Sequence, residues 1–179
     1  MPLALDRSRV LPFLVDFPGG RDALDARVLD AHHRVLGRAT RSPEMLGWRD
    51  LLLTPDDALI ESVVALGNEI RDRANVLLCI GIGGSYLGAE AVVQALTPPF
   101  GYTGPEILFA GHHLSPDYHA RLFEYLDGKS VYVNVISKSG TTLEPALAFR
   151  LAREFMEARF EDANRRIIAT TDATRGTLH

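Results

Sequence analysis

From residue 76 onward, short apolar runs alternate with stretches of helical periodicity, and few folds accommodate that alternation. Residues 76–82 are apolar and rich in branched side chains, which reads as a buried strand. A helical pattern continues over 90–96, and a short strand is expected at 107–110. Ser115-Pro116-Asp117 then opens a helix carrying Leu122, Phe123, Tyr125 and Leu126. A second strong strand covers 131–136. Leu143, Leu147, Leu151 and Phe155 step by four through a long helix, and a last strand covers 167–171. Strands separated by helices predict an α/β fold, a parallel sheet with helices on both faces and right-handed crossovers. The chain stops soon after the fourth strand, so the sheet is expected to be incomplete at its C-terminal side.

Before residue 75 the pattern is helical. Residues 22–39 place Leu24, Val28, Val35 and Ala39 on one face, after a break at Pro18-Gly19-Gly20. Ser42-Pro43 and Gly47-Trp48 mark a loop. Thr54 reads as an N-cap, with Pro55 at the first helical position and Asp56 and Asp57 in the first turn. The helix that follows carries Leu59, Ile60, Val63, Val64, Gly67 and Ile70 on one face. The expected division is a helical N-terminal arm over 1–74 and an α/β domain over 75–179, within the size of one domain plus an arm for 179 residues.

A net charge of −4 argues against a general nucleic-acid binder, which would carry a basic surplus. No run of about 18 apolar residues is present, so no membrane span is expected. The apolar stretch at 11–17 is broken by Pro12 and Asp16, so no signal peptide is expected either. The lone Cys79 lies inside the first strand run and reads as a small buried hydrophobe. A reducing, cytoplasmic home fits.

In open parallel sheets, ligands bind beyond the C-terminal ends of the strands. Two loops fall there. The first is Gly81-Ile82-Gly83-Gly84-Ser85-Tyr86-Leu87-Gly88. Glycines let backbone N–H groups approach a ligand, the following helix N-terminus favours an anion, and Ser85 can donate a hydroxyl hydrogen. The plain alternative is a tight strand-to-helix turn with a capping serine. The second loop is Ser137-Lys138-Ser139-Gly140-Thr141-Thr142, with four hydroxyls, one lysine and one glycine in six positions. Hydroxyls donate to phosphate oxygens, lysine adds charge, and Gly140 lets the backbone curl. A solvated Ser/Thr turn is the plain alternative here. Thr141 with Glu144 forms a plausible capping box, which makes Glu144 structural. Neither loop holds a histidine, a cysteine or a paired carboxylate, so the equipment suits gripping phosphate rather than moving protons.

Rival readings are weaker. A dinucleotide loop needs a small residue where Tyr86 stands and an acid at the end of the next strand, whereas Glu106 lies at its beginning. A P-loop needs Gly-Lys-Ser/Thr, which does not follow. His112 and His113 are adjacent and lack a spaced carboxylate or cysteine partner, so they read as loop residues rather than metal ligands. His32 and His33 read as ordinary helix residues.

Gly81-Ile82-Gly83-Gly84-Ser85 with Leu87-Gly88, and Val135-Ile136-Ser137-Lys138-Ser139-Gly140-Thr141-Thr142-Leu143-Glu144-Pro145, resemble the two phosphate loops of the sugar isomerase (SIS) domain. They resemble more narrowly the bacterial glucose-6-phosphate isomerase family. Leu46-Gly47-Trp48, Ser115-Pro116-Asp117-Tyr118 and Ala169-Thr170-Thr171-Asp172 are weaker echoes. The resemblance implies a flavodoxin-like, three-layer SIS domain and interconversion of glucose 6-phosphate and fructose 6-phosphate without metal or organic cofactor. It assigns phosphate binding to Ser85, Ser137, Lys138, Ser139 and Thr142, with Gly84 and Gly140 supplying backbone beside the substrate. Ser139 stands where some members have threonine.

The family's chain is more than twice as long, and its catalytic glutamate, ring-opening histidine, arginine and C-terminal lysine would follow residue 179. No catalytic residue is therefore assigned here, and the isolated chain is expected to be inactive. The implied partners are a C-terminal isomerase domain and a second subunit of a homodimer. A stand-alone, non-catalytic sugar-phosphate module and an SIS enzyme for another phosphosugar are the alternatives. The leader-like arm and the stop at Arg175-Gly176-Thr177-Leu178-His179 favour the isomerase reading.

Overall fold

The computed structural model describes residues 6, 8–14 and 17–178; Asp16 and His179, used in the sequence reading, lie outside them. The chain divides into two compact units, Met1–Ile60 and Glu61–His179. The boundary falls inside a helix, Asp57–Arg73.

In the first unit, α1 spans Gly20–Leu36 and α2 spans Gly47–Leu53. α1 stops at Gly37, whose amide returns to the His33 carbonyl at 2.8 Å. The stripe expected on α1 is only partly covered, with Leu24 and Val35 half-buried and Val28 exposed. α2 occupies the segment whose Gly47-Trp48 pair suggested a loop. Its end is closed by Thr54, whose hydroxyl donates to the Asp50 carbonyl at 3.0 Å. Thr54 therefore ends α2 instead of opening the next helix, α3 (Asp57–Arg73). Asp56 opens α3 and accepts the Leu59 amide at 3.0 Å. A carboxylate at that position caps as well as threonine and also complements the helix dipole, so either residue satisfied the sequence pattern.

The second unit is built on four strands, β1 Val76–Ile80, β2 Glu106–Ala110, β3 Val131–Ile136 and β4 Ile167–Thr170. They pair in parallel in the order β2-β1-β3-β4. The connecting helices are α4 Leu87–Leu96, α5 Pro116–Leu126, α6 Leu143–Arg159 and the short α7 Ala163–Arg166. α5 starts as the sequence indicates, with the Ser115 hydroxyl accepting the Tyr118 amide at 3.3 Å and Pro116 in the first turn.

Both faces of the sheet are covered. In register, Val76 lies beside Val131, Leu78 beside Val133 and Ile80 beside Val135. These six side chains form one core with Leu122 and Leu126 of α5 and Ala148, Ala152 and Met156 of α6. Phe123 and Phe155 meet at 5.4 Å between ring centroids, so α5 and α6 share that face. On the alternate face, the Tyr132 hydroxyl donates to the Glu69 carboxylate of α3 at 3.0 Å. Cys79 points to that face as well. Burial pushes its thiol up to about 11, which disfavours the thiolate.

α6 corrects the predicted stripe. Leu143 and Leu147 are 65% and 38% exposed, whereas Phe155 at the end of the stripe is buried as expected, together with Pro145, Ala148, Ala152 and Met156. In the first half of the helix small residues face the strands because they let the helix axis come close to the sheet, and in the second half Phe155 and Met156 fill the wider space.

Candidate functional site

β1 lies at the centre of the strand order. The chain leaves it in one direction for β2, then crosses back to β3 on the other side. That reversal creates a switch point between β1 and β3, where neighbouring loops diverge and leave a crevice. Loops 81–88 and 137–142 leave the C-terminal ends of these two adjacent strands. Gly111, after β2, ties the region together. At φ +82, a Cβ there would lie 3.0 Å from Ile80, 3.1 Å from the Pro145 backbone and 3.3 Å from the Gly81 nitrogen. The ends of β1 and β2 and the first turn of α6 thus converge on one point that only a glycine fits.

In the first loop, the Gly81 amide donates to the Ala110 carbonyl at 3.0 Å and extends the β1–β2 pairing by one bond. Residues Gly83–Ser85 form a single 3-10 turn, with Gly83 at φ +57. A Cβ on Gly81 would press on Ser85 at 3.1 Å, so this glycine permits the tight turn into α4. Gly84 is exposed with open space at its Cα, and Ser85 is half-buried. Among the described residues, the Ser85 hydroxyl has no hydrogen-bond partner.

The second loop organises itself. The Gly140 amide donates to Ser137 Oγ at 3.0 Å, and Gly140 takes φ +71 to make that turn. The Thr141 amide and hydroxyl both donate to Ser139 Oγ, at 3.2 and 2.9 Å. Each serine therefore accepts from its own loop, and among the described residues its hydroxyl hydrogen is not committed. Accepting a bond also makes a hydroxyl a better donor. Lys138 is exposed and, among the described residues, its ammonium makes no hydrogen bond or ion pair. Thr142, not Thr141, is the N-cap of α6, and its side chain does not cap. The capping box expected from Thr141 and Glu144 is not formed, because Thr141 turns to Ser139 instead. Among the described residues, the Leu143 and Glu144 amides that open α6 have no hydrogen-bond partner, and Pro145 carries no amide hydrogen.

Phosphate oxygens near this edge would meet hydroxyl hydrogens, helix-terminal amides and one ammonium. No carboxylate of either loop is aimed at them. Among the described residues, no group of three or more His, Cys, Asp or Glu side chains could hold a metal ion. Glu106, the acid a dinucleotide site would need at the end of β2, opens that strand and accepts the Tyr125 hydroxyl at 2.6 Å.

Two features beside the loops were not evident in the sequence. His112 stacks on Tyr86 of the first loop at 5.2 Å and 25°, next to His113 and Tyr118. Residues 171–178 fold against the second loop, and a cavity of about 210 Å³ lies between them. Only a lone glycine between Arg175 and Thr177 hints at that packing in the sequence.

Comparisons with known proteins place the chain as a whole. No family model matches the chain. A glucose-6-phosphate isomerase of Acholeplasma laidlawii is 43% identical over 159 residues, which is 88% of this chain and 37% of that protein. One of Staphylococcus aureus is 41% identical over 183 residues, 98% of this chain and 40% of the relative. This chain is homologous to part of bacterial glucose-6-phosphate isomerase. It spans a little over a third of the length of these curated relatives. Among solved structures, a hypothetical protein of Thermus thermophilus superimposes with a TM-score of 0.72 at 30% identity, over 94% of this chain and 39% of that one. A glucose-6-phosphate isomerase of Chlamydia trachomatis superimposes with a TM-score of 0.51 at 32% identity, over 60% of this chain and 20% of that one. Among the described residues, no helix is long and apolar enough to cross a membrane.

Proposed function

We propose that this chain is the N-terminal part of a glucose-6-phosphate isomerase and supplies the grip on the substrate phosphate. The observation that carries the reading is the pair of hydroxyl- and glycine-bearing loops leaving adjacent strands at the switch point. In this reading Ser85, Ser137, Ser139 and Thr142 donate to phosphate oxygens, and Lys138 swings its ammonium to the anion. Gly84 and Gly140 let the backbone lie close to the sugar. Residues 1–74 serve as a helical arm and 75–179 as the SIS domain of a cytoplasmic, homodimeric enzyme.

The reaction moves a proton between C1 and C2 through an enediol and needs a carboxylate base poised at those carbons. Neither loop offers one, so the base belongs to the rest of the enzyme, and no metal or organic cofactor takes part. The 179-residue chain is therefore expected to bind fructose 6-phosphate without turning it over. Calorimetry beside an isomerase assay on one sample tests both halves of the statement. Hydrogen bonds to a charged group contribute about 1.5–3 kcal/mol each, so Ser137→Ala with Thr142→Ala should weaken binding at least tenfold. Turnover by the chain alone would place a catalytic group within it and overturn the division of labour. A folded chain that does not bind would overturn the grip.

A further inference from the structure

We infer that residues 171–178 act as a strap that holds the second loop in its binding form, with Thr171 and Gly176 as positioning residues. The inference rests on the reading of 137–142 as a phosphate loop.

Two carbonyls of the loop, those of Ser137 and Ser139, accept hydrogen bonds from the strap, and the Lys138 carbonyl between them lies against the strap backbone. The Thr171 hydroxyl donates to the Ser137 carbonyl at 2.8 Å. The Thr177 amide donates to the Ser139 carbonyl at 3.1 Å. Gly176, at φ +102, lies so close that a Cβ on it would be 3.0 Å from both the Lys138 and Ser139 carbonyl oxygens. The approach is mutual, because a Cβ on Gly140 would overlap the Thr177 hydroxyl and lie 3.1 Å from the amide nitrogens of Thr177 and Leu178. Each glycine thus faces the backbone of the opposite segment, and neither position admits a side chain.

The strap has its own reason to curl back. Asp172 Oδ1 accepts the Thr174 amide at 2.9 Å, the Thr174 hydroxyl at 3.0 Å and the Arg175 amide at 3.1 Å, which folds the chain into a tight turn. Leu178 then packs against the core margin, lining one cavity with Pro145 and Phe149 of α6, and anchors the far end.

The chemical consequence concerns lone pairs. A carbonyl oxygen aimed at a phosphate repels it, and a flip of the 138–139 or 139–140 peptide would aim one there. Tying the Ser137 and Ser139 carbonyls to the strap, with the Gly176 backbone against Lys138, opposes that flip and leaves hydroxyl hydrogens as the groups an anion meets. The strap touches no substrate in this scheme. It acts through the loop.

Amide exchange by NMR and binding of fructose 6-phosphate, measured on the same 179-residue chains, test the strap. In Thr171→Val, the Gly140 and Thr141 amides should exchange about tenfold faster, the scale of one lost hydrogen bond. Thr171→Ser should restore the original rate. Gly176→Ala should loosen the same amides without lowering protection in β1 and β3. Affinity for fructose 6-phosphate should fall about tenfold in Thr171→Val and Gly176→Ala and return in Thr171→Ser. Unchanged exchange in both variants would overturn the strap whatever the ligand does. Faster exchange with unchanged affinity would overturn its positioning role. If the parent chain binds no sugar phosphate, exchange still decides the strap, and only the phosphate reading fails.

Discussion

His112 stacks on Tyr86 with a buried Nδ1 that has no hydrogen-bond partner among the described residues. Burial, and after it the neighbouring His113, hold its imidazole below the ordinary value of 6.5; the Glu90 carboxylate of α4 acts against that shift, and His119 of α5 adds to it. Tyr86 and Tyr118 complete the surroundings as rings. A histidine whose folded value is lowered binds fewer protons folded than unfolded through that range. Its contribution to stability is thus complete above about pH 6.5, is lost as pH falls from there toward the lowered folded value, and levels off below it. His112→Phe keeps a ring against Tyr86 and removes the titration. Urea melts at pH 7.5 and 5.5 should show a smaller acid loss in His112→Phe than in the parent chain, and equal losses would rule out this role. At this same scale, the turn that Ser137, Ser139 and Gly140 build after β3 was legible because a hydroxyl-rich stretch after a strand is unusual. Thr171 and Gly176 were not, because their partners lie more than thirty positions away and leave no local pattern.

α6 shows what periodicity reads well and what it reads badly. Its existence and length follow from the spacing of apolar residues, and Leu143–Arg159 covers the predicted stretch. Its buried face does not follow, because side-chain size and not only polarity decides which residues meet a sheet. Ala152 and Ala148 are 0% and 1% exposed, while Leu143 is 65% exposed. Ala152→Leu should therefore cost about 1–3 kcal/mol by overpacking. Leu143→Ala, on the open side, should stay within about 0.5 kcal/mol. Denaturant unfolding of the two variants checks the assignment, and the reverse order would restore the leucine face. The opening of α3 has a related cause. Thr54 and Asp56 are both good caps two residues apart, and only the hydrogen bonds to Asp50 and Leu59 separate their roles.

Across the whole chain, the α/β order from β1 to β4 was legible because each strand is a concentrated apolar run. The sequence cannot say which apolar faces remain open once those strands pair, since that depends on what packs on the helices. Val63 and Val64 on α3 are 59% and 55% exposed, and Leu87, Val92 and Leu96 on α4 are 53%, 56% and 77% exposed. Isolated exposed apolar residues are ordinary, but rows of them along two helices of one unit are not. The chain matches little over a third of its relatives' length. Under the proposed function, the remainder of the enzyme covers such faces. The 179-residue chain alone should then self-associate as its concentration rises and bind a hydrophobic dye. Val64→Lys with Val92→Glu should reduce both effects while changing stability little, because exposed sites tolerate substitution within about 0.5 kcal/mol each. Light scattering and dye fluorescence across a dilution series decide the matter. A chain that stays monomeric and dark at high concentration would mean that these faces are settled in water and need no further covering.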